Sequence, residues 1–109
     1  MSEELSARRC MACTPGTPPL DEAEAAELQA QLDPAWSREG NRRLLRTYEL
    51  RNFRDAFGLT ARIALLAEAE GHHPDLELRW GRVAVTLTTH AANGLTDNDF
   101  ILAAKIDRL

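Results

Sequence analysis

The sequence predicts an α+β domain in which three helices pack on one face of a four-stranded antiparallel sheet, in the order α-β-β-α-β-β-α. Three observations lead to this fold class. Apolar residues recur at helical spacing in three separate segments, polarity alternates on both sides of a short loop that contains glycine, and turn-forming residues separate the segments. The 109 residues suffice for one hydrophobic core, so we expect a single domain over residues 21–109.

The composition is that of an ordinary globular protein, with 44% hydrophobic and 28% charged residues. The formal net charge of −4 argues against a general binder of nucleic acid, which needs a basic surface. No apolar run approaches the length of a membrane span, and no segment resembles a secretion signal. We therefore expect a cytoplasmic protein that has neither nucleic acid nor a membrane as its partner.

Residues 1–20 are expected to form a flexible N-terminal arm, because the proline-rich run at residues 14–19 shows no periodicity and favours extended backbone. The arm contains Cys10 and Cys13 in a Cys-x-x-Cys motif. A redox motif of this kind usually opens a helix, and as a zinc site it is half a ligand set. We expect two reduced thiols.

The first helix and first two strands of the domain are predicted from short signals. Residues 21–31 have acidic side chains in the first turn and leucines at helical spacing, and Asp33-Pro34 ends the helix. A strand is expected to open at Trp36. A second strand follows at residues 42–50, after a Gly40-Asn41 turn.

The central helix is expected to run from an N-cap at Asn52 to Glu70. Apolar residues cover so much of its circumference that it must be heavily buried. Gly71 can adopt the left-handed conformation that closes a helix, and Pro74 prevents the helix from resuming. Glu68 ends an apolar row, so its carboxylate either has a partner or marks the point where this face meets solvent.

Two alternating segments on either side of Gly81-Arg82 predict a β-hairpin with a two-residue loop. This register places Leu78 opposite Val85 and His73 opposite His90. Directly opposed residues have Cβ atoms about 4.5–5.5 Å apart. With His72 at the same corner, all three histidines of the chain are expected to lie close together.

The closing helix is predicted from Thr96, with Asp99 three residues later as a capping box, to Leu109. Four strands leave two sheet edges, and unpaired edges favour association with another chain. We therefore consider oligomerisation through an edge or through the helices.

Three neighbouring imidazoles support two kinds of chemistry. They could bind a metal that has an open coordination position, but adjacent residues of an extended segment point to opposite sides and seldom reach one ion. They could instead transfer protons without a metal, because imidazole titrates near pH 6.5 and one ring can be the acid while another is the base. Any single histidine could also be only a turn or loop residue.

The motifs around the histidines resemble those of the pterin-4a-carbinolamine dehydratase family, over roughly residues 21–109. The segments that carry the resemblance are Asn52-Phe53-Arg54-Asp55-Ala56-Phe57-Gly58, Ala67-Glu68, His72-His73-Pro74, Val85-Thr86-Leu87-Thr88-Thr89-His90 and Gly94-Leu95-Thr96 with Asp99.

The resemblance implies removal of water from 4a-hydroxytetrahydropterin to give quinonoid dihydropterin, with no metal or organic cofactor, in a homodimer or homotetramer. It implies that His72 and His90 are the acid/base pair and that His73 mainly holds the substrate. The hairpin register instead places His73 opposite His90, so the division of roles between His72 and His73 stays open.

The resemblance also implies a substrate-binding set around the histidines. Glu68 would orient an imidazole, and Pro74, Thr88 and Thr89 would frame the pterin. The chain departs from some members of the family at Gly71, where they have Asp, and at Leu76, where they have an aromatic residue.

Two other functions are compatible with the sequence. The first is a non-enzymatic interaction module, because animal members of the family also bind a transcription factor. The second is a metal-dependent lyase or hydrolase that uses the same histidines.

Overall fold

The computed structural model describes residues 2–109, with side chains from residue 5 onward, and the predicted α+β fold class is confirmed. The sheet is antiparallel, with strand order β1-β2-β4-β3. No helix in the described range is long and apolar enough to cross a membrane. The elements are α1 Ser2–Ala7, α2 Glu22–Gln29, β1 Ser37–Glu39, β2 Arg43–Glu49, α3 Phe53–Glu70, β3 Asp75–Arg79, β4 Arg82–Leu87, a 3₁₀ turn at His90–Ala92 and α4 Asp97–Ile106.

The core lies between one face of the sheet and the helices. Val83, Val85 and Leu87 of β4 are fully buried on that face, and they alternate with residues that are only half buried. α4 is buried around almost its whole circumference, because α1 packs against it as well as α2 and α3. Helix α4 is therefore held rigidly by the elements around it.

The helix boundaries follow local signals in the sequence. The Asn52 side chain accepts a hydrogen bond from the Asp55 N–H at 2.8 Å, which caps α3 as predicted. Gly71 ends α3 in the left-handed conformation (φ 69°), and its N–H donates to the Ala67 carbonyl at 2.9 Å. α2 is shorter than expected and begins after Asp21, which caps it.

The predicted hairpin register is wrong by two residues. The loop is Trp80-Gly81, Arg79 pairs with Arg82, and Leu78 pairs with Val83. A two-residue shift keeps the same residues on the buried face, so alternation alone cannot detect it. Trp80 consequently lies in the loop and is 69% exposed, rather than on the apolar face.

The predicted register has Gly81 as the first residue of the loop. Its φ is not positive, so the loop does not need glycine for its conformation. A Cβ at this position would lie 2.9 Å from the Leu50 carbonyl oxygen, and the Gly81 carbonyl accepts from the Leu50 N–H at 2.8 Å. Glycine is therefore required at this position because Leu50, the residue after β2, approaches it closely. The predicted pairing of His73 with His90 is also wrong, since β3 begins at Asp75 and β4 ends at Leu87.

The expectation that residues 1–20 lack regular structure is wrong for α1, although Met1 lies outside the described residues. A helix of six residues is marginal by itself in water. Leu5 is 1% exposed and belongs to the main core, so burial against the domain stabilises this helix. That burial is a tertiary effect that leaves little trace in local periodicity.

The two helical glycines Gly71 and Gly58 should respond to alanine in opposite ways. Alanine at Gly71 meets no atom within 4 Å but must adopt a positive φ, so we expect the free energy of unfolding to fall by about 1–2 kcal/mol. Alanine at Gly58, inside α3 and 3.7 Å from Arg62, should raise it by up to about 1 kcal/mol. Urea denaturation measures both, and equal changes of the same sign would contradict this account.

Candidate active site

All three histidines line one cavity of about 230 Å³ beside the C-terminal end of α3 and the end of β4. Thr88 and Thr89 line the same cavity, whereas Glu68 and Pro74 do not. The residues come together because Gly71 turns the chain sharply after α3, while the 3₁₀ turn at His90–Ala92 turns it after β4. Two turns, rather than the predicted pairing of His73 with His90 on opposed strands, therefore bring the histidines together.

His72 is held by a buried carboxylate that sequence analysis assigned only to a helix cap. Its Nε2 lies 2.6 Å from Oδ1 of Asp99, and the two side chains are 11% and 0% exposed. A carboxylate oxygen accepts, so Nε2–H of His72 is the donor in this bond, and Nδ1 is the ring nitrogen that the bond leaves free. Asp99 therefore fixes both the position and the tautomer of His72.

Asp99 receives two further hydrogen bonds at its other oxygen. The Thr89 hydroxyl donates to Oδ2 at 2.7 Å, and the Thr96 N–H donates at 3.0 Å, which is the predicted cap of α4. The Thr96 and Thr89 hydroxyl oxygens are 2.8 Å apart. Since the Thr89 proton is already given to Asp99, Thr96 donates to Thr89. Thr89 thus supports His72 through Asp99 from within the cavity wall.

His73 has a different environment from its neighbour. Its Nε2 lies 2.9 Å from Oε1 of Glu68, and the two side chains are 62% and 80% exposed. The carboxylate of Glu68 therefore both has a partner and lies where the helix meets solvent. An exposed pair of this kind contributes little to stability, but it does restrict the orientation of the ring.

His90 is the third histidine and begins the 3₁₀ turn. Its side chain is exposed, and no described residue forms a hydrogen bond with its ring. A second cavity, of about 180 Å³, adjoins the first at Thr88, Thr89 and His90, and it is bordered by Arg42 and Arg43. His90 consequently lies between two depressions and can contact a bound molecule from either side.

The N-terminal segment adds residues to the cavity that sequence analysis missed. Met11 and Cys13 line it, together with Asn98 of α4. The Cys10 N–H donates to Glu70, the last residue of α3, at 2.9 Å. No local signal in the sequence predicted this, because the segment is extended and its partners lie far away along the chain.

Cys10 itself is not a reactive thiol. Burial, followed by the nearby charge of Glu70, raises the pKa of the Cys10 thiol to about 12. Burial alone would also raise the pKa of Glu70, but the Cys10 N–H and the Lys105 ammonium lower it below its ordinary value. The Cys10 thiol therefore stays protonated at neutral pH, and both cysteines are free thiols.

Among the described residues, no group of three or more His, Cys, Asp or Glu side chains is arranged to hold a metal ion. What the cavity does provide is a set of imidazoles, two of them hydrogen-bonded to carboxylates. Such groups can donate and accept protons near neutral pH.

Several known proteins are similar to this chain in fold and in sequence. A crystal structure from Brucella melitensis, described as a transcriptional coactivator/pterin dehydratase, matches with a TM-score of 0.76 and 37% identity, over 83% of this chain and 96% of that one. Two curated relatives carry the name "putative pterin-4-alpha-carbinolamine dehydratase". The relative from Gloeobacter violaceus is 49% identical over 96% of this chain and 92% of its own length, and the one from Chloroflexus aurantiacus is 52% identical over 84% and 97%.

The fold is that of a small α+β domain of the pterin dehydratase type. Residues 18–109 match the family model described as pterin 4 alpha carbinolamine dehydratase. The chain therefore belongs to the pterin-4a-carbinolamine dehydratase family. Met11 and Cys13 lie before the residues that the family model matches.

Replacing Asp99 with asparagine should destabilise the protein, because an amide cannot accept from all three of its donors and presents N–H groups to them. We expect the free energy of unfolding to fall by about 2–3 kcal/mol. The control is Asp97→Asn on the same helix, where the carboxylate is 47% exposed and pairs with Arg8 at 3.0 Å. That change should cost less than about 1 kcal/mol. Similar losses for both variants in urea denaturation would contradict the role of Asp99.

Proposed function

We propose that the protein catalyses the dehydration of 4a-hydroxytetrahydropterin to quinonoid dihydropterin, by acid/base catalysis with histidines and without a metal or organic cofactor. The observation that carries the proposal is one cavity lined by three histidines, of which one is oriented by a buried carboxylate. Membership of the family supports a pterin as the substrate. The reaction belongs to tetrahydropterin recycling, and the two free thiols fit a cytoplasmic location.

The reaction requires two proton transfers at one ring. The bond between C4a and the hydroxyl oxygen breaks, and the oxygen leaves as water after it receives a proton. The proton on N5 is removed, and its electron pair forms the N5–C4a double bond. One acid and one base on the same bound ring suffice, and positioned proton transfer typically contributes about 10²–10⁴-fold.

His72 is the base in this proposal and His90 is the acid. Asp99 holds Nε2 of His72, so Nδ1 can accept the N5 proton while the carboxylate stabilises the imidazolium that forms. The ring of His90 forms no hydrogen bond with any described residue, so a bound hydroxyl can take its proton without displacing a protein partner. The proton then returns through solvent, to which His90 is exposed.

The other residues of the cavity bind the pterin in this proposal. His73, oriented by Glu68, holds the ring, and Thr88 and Thr89 frame it. The Thr88 hydroxyl donates to the Arg42 carbonyl at 2.6 Å, which fixes this side chain in the cavity wall. Pro74 acts indirectly, because it prevents the chain after His73 from continuing as a helix.

Substitution of the histidines should separate chemistry from binding. We expect His72→Gln and His90→Gln to lower kcat by about 10²–10⁴-fold, and His73→Gln to raise KM with a smaller change in kcat. The measurement is stopped-flow absorbance of chemically generated 4a-hydroxytetrahydropterin, relative to its spontaneous decay and with a chelator present. Circular dichroism of each variant establishes that it is folded.

Three outcomes would contradict the proposal. Full activity of the His72/His90 double variant would exclude these residues as acid and base. Activity that is lost in chelator and restored by a stoichiometric metal would favour a metal-dependent reaction instead. No acceleration by the folded wild-type protein would favour an interaction module on the same fold.

The protein is also proposed to form a homodimer or homotetramer. Phe53, Phe57 and Leu65 of α3 are 48%, 57% and 72% exposed, and β1 and β3 are unpaired sheet edges. The same exposed face would serve an interaction module that binds another protein.

Charge on that helix face should therefore disrupt assembly. We expect Phe57→Glu to lower the sedimenting mass, whereas Arg108→Glu, a charge reversal at an exposed residue after α4 and away from that face, should leave it unchanged. Analytical ultracentrifugation measures both. A wild-type protein that sediments as a monomer at micromolar concentration would contradict the proposed assembly.

A further inference from the structure

The N-terminal segment is attached to α4 by one side chain that binds both backbone groups of one residue. Oδ1 of Asn98 accepts from the Met11 N–H at 2.9 Å, and Nδ2 of Asn98 donates to the Met11 carbonyl at 2.5 Å. Asn98 is 6% exposed and precedes Asp99, which holds His72. Met11 and His72 are therefore positioned by adjacent residues of one rigid helix.

A second attachment holds the segment to the end of α3. Glu70 accepts from the Cys10 N–H through Oε1 and binds the Lys105 ammonium through Oε2 at 2.6 Å. The Glu70 and Lys105 side chains are only 10% and 16% exposed. Such a sheltered pair is costly to break by removing one partner. Residues 10 and 11 are thus fixed between the two helices that also support the histidine corner.

The consequence is a wall at one side of the histidine cavity. Met11 and Cys13 alternate along the extended segment, and both line the cavity. Met11 is 73% exposed, although it is apolar and its backbone is fixed. A methionine thioether at the mouth of a cavity is a favourable surface for a flat ring. Sulfur–aromatic contacts stabilise the bound ring, and the flexible methionine side chain adapts to its shape.

The size of the cavity indicates what the wall does. At about 230 Å³ it is smaller than most small-molecule sites, which hold roughly 300–1,000 Å³. The adjoining depression of about 180 Å³ opens at Thr88, Thr89 and His90, on a side that Met11 and Cys13 do not line.

The ring carbon C6 is bonded to N5, whose proton His72 accepts in the proposed reaction, and Met11 and His72 are held by the adjacent residues Asn98 and Asp99. We propose that Met11 and Cys13 are specificity-determining residues, whose wall restricts the cavity to reduced pterins with a small substituent at C6. This inference rests on the proposed function, to which it adds a limit on the size of the C6 substituent.

The experiment compares two substrates in three proteins. The 4a-hydroxy adducts of a 6-methyl tetrahydropterin and of a tetrahydropterin with a bulky aryl substituent at C6 are presented to the wild type, the Met11→Ala/Cys13→Ala double variant and a Thr14→Ala control. Thr14 lies on the same segment and is exposed, but it does not line the histidine cavity.

In the double variant we expect the ratio of kcat/KM for the small over the bulky substrate to fall at least about tenfold, since single methylene differences in a pocket have effects of this size. Thr14→Ala should keep the wild-type ratio. A ratio that is unchanged in the folded double variant, while the wild type accelerates the reaction, would overturn the role of the wall and leave the proposed function intact.

Binding of non-reacting 7,8-dihydropterins with the same two substituents, followed by their fluorescence, separates the two proposals. If the wild type binds them but does not accelerate the reaction, the proposed function is wrong and the ratio of Kd values tests the wall, with the same tenfold expectation. A wild type that neither binds nor accelerates would overturn both.

Discussion

Asp99 accepts hydrogen bonds from three parts of the chain that are distant or differently structured: the corner after α3, the end of β4 and the start of α4. A carboxylate that is 0% exposed is tolerated in a folded protein only when such donors surround it. The three segments must therefore meet for the domain to fold with α4 in place. The cavity is formed by the same residues, so its geometry follows from a requirement of stability.

This constraint differentiates histidines that are chemically identical. His72 is enclosed and held by Asp99, His73 is paired with Glu68 in solvent, and the ring of His90 has no hydrogen-bonding partner in the described chain. Three environments around one cavity allow a division of labour between orientation, binding and proton delivery. The separation of roles that we propose depends on the surroundings of each histidine rather than on the residue type.

The N-terminal segment extends the same logic beyond the part of the chain that the family model matches. Asn98 and Glu70 hold it by backbone hydrogen bonds, which place Met11 without depending on the identity of its side chain. The side chain at residue 11 can consequently vary while the backbone there keeps its position. A site of this kind can change its substrate preference without any change to the supports of the histidines.

The sequence by itself determined the features that depend on local interactions. The fold class, the Asn52 and Thr96 caps and the left-handed Gly71 corner are encoded within a few residues of where they occur, because capping and positive φ are properties of short segments. The family motifs likewise placed the three histidines near one site, although the strand pairing used to bring His73 and His90 together is wrong.

Only the tertiary structure decided the features that depend on distant partners. The hairpin register is set by the approach of Leu50 to Gly81, and a shift of two residues preserves the alternating pattern that the sequence displays. α1 is stabilised by burial against α4, and its six residues carry no signal strong enough to predict it. Asp99 satisfies a local cap in any reading of the sequence, but its bond to His72 spans 27 residues and exists only once the chain has folded.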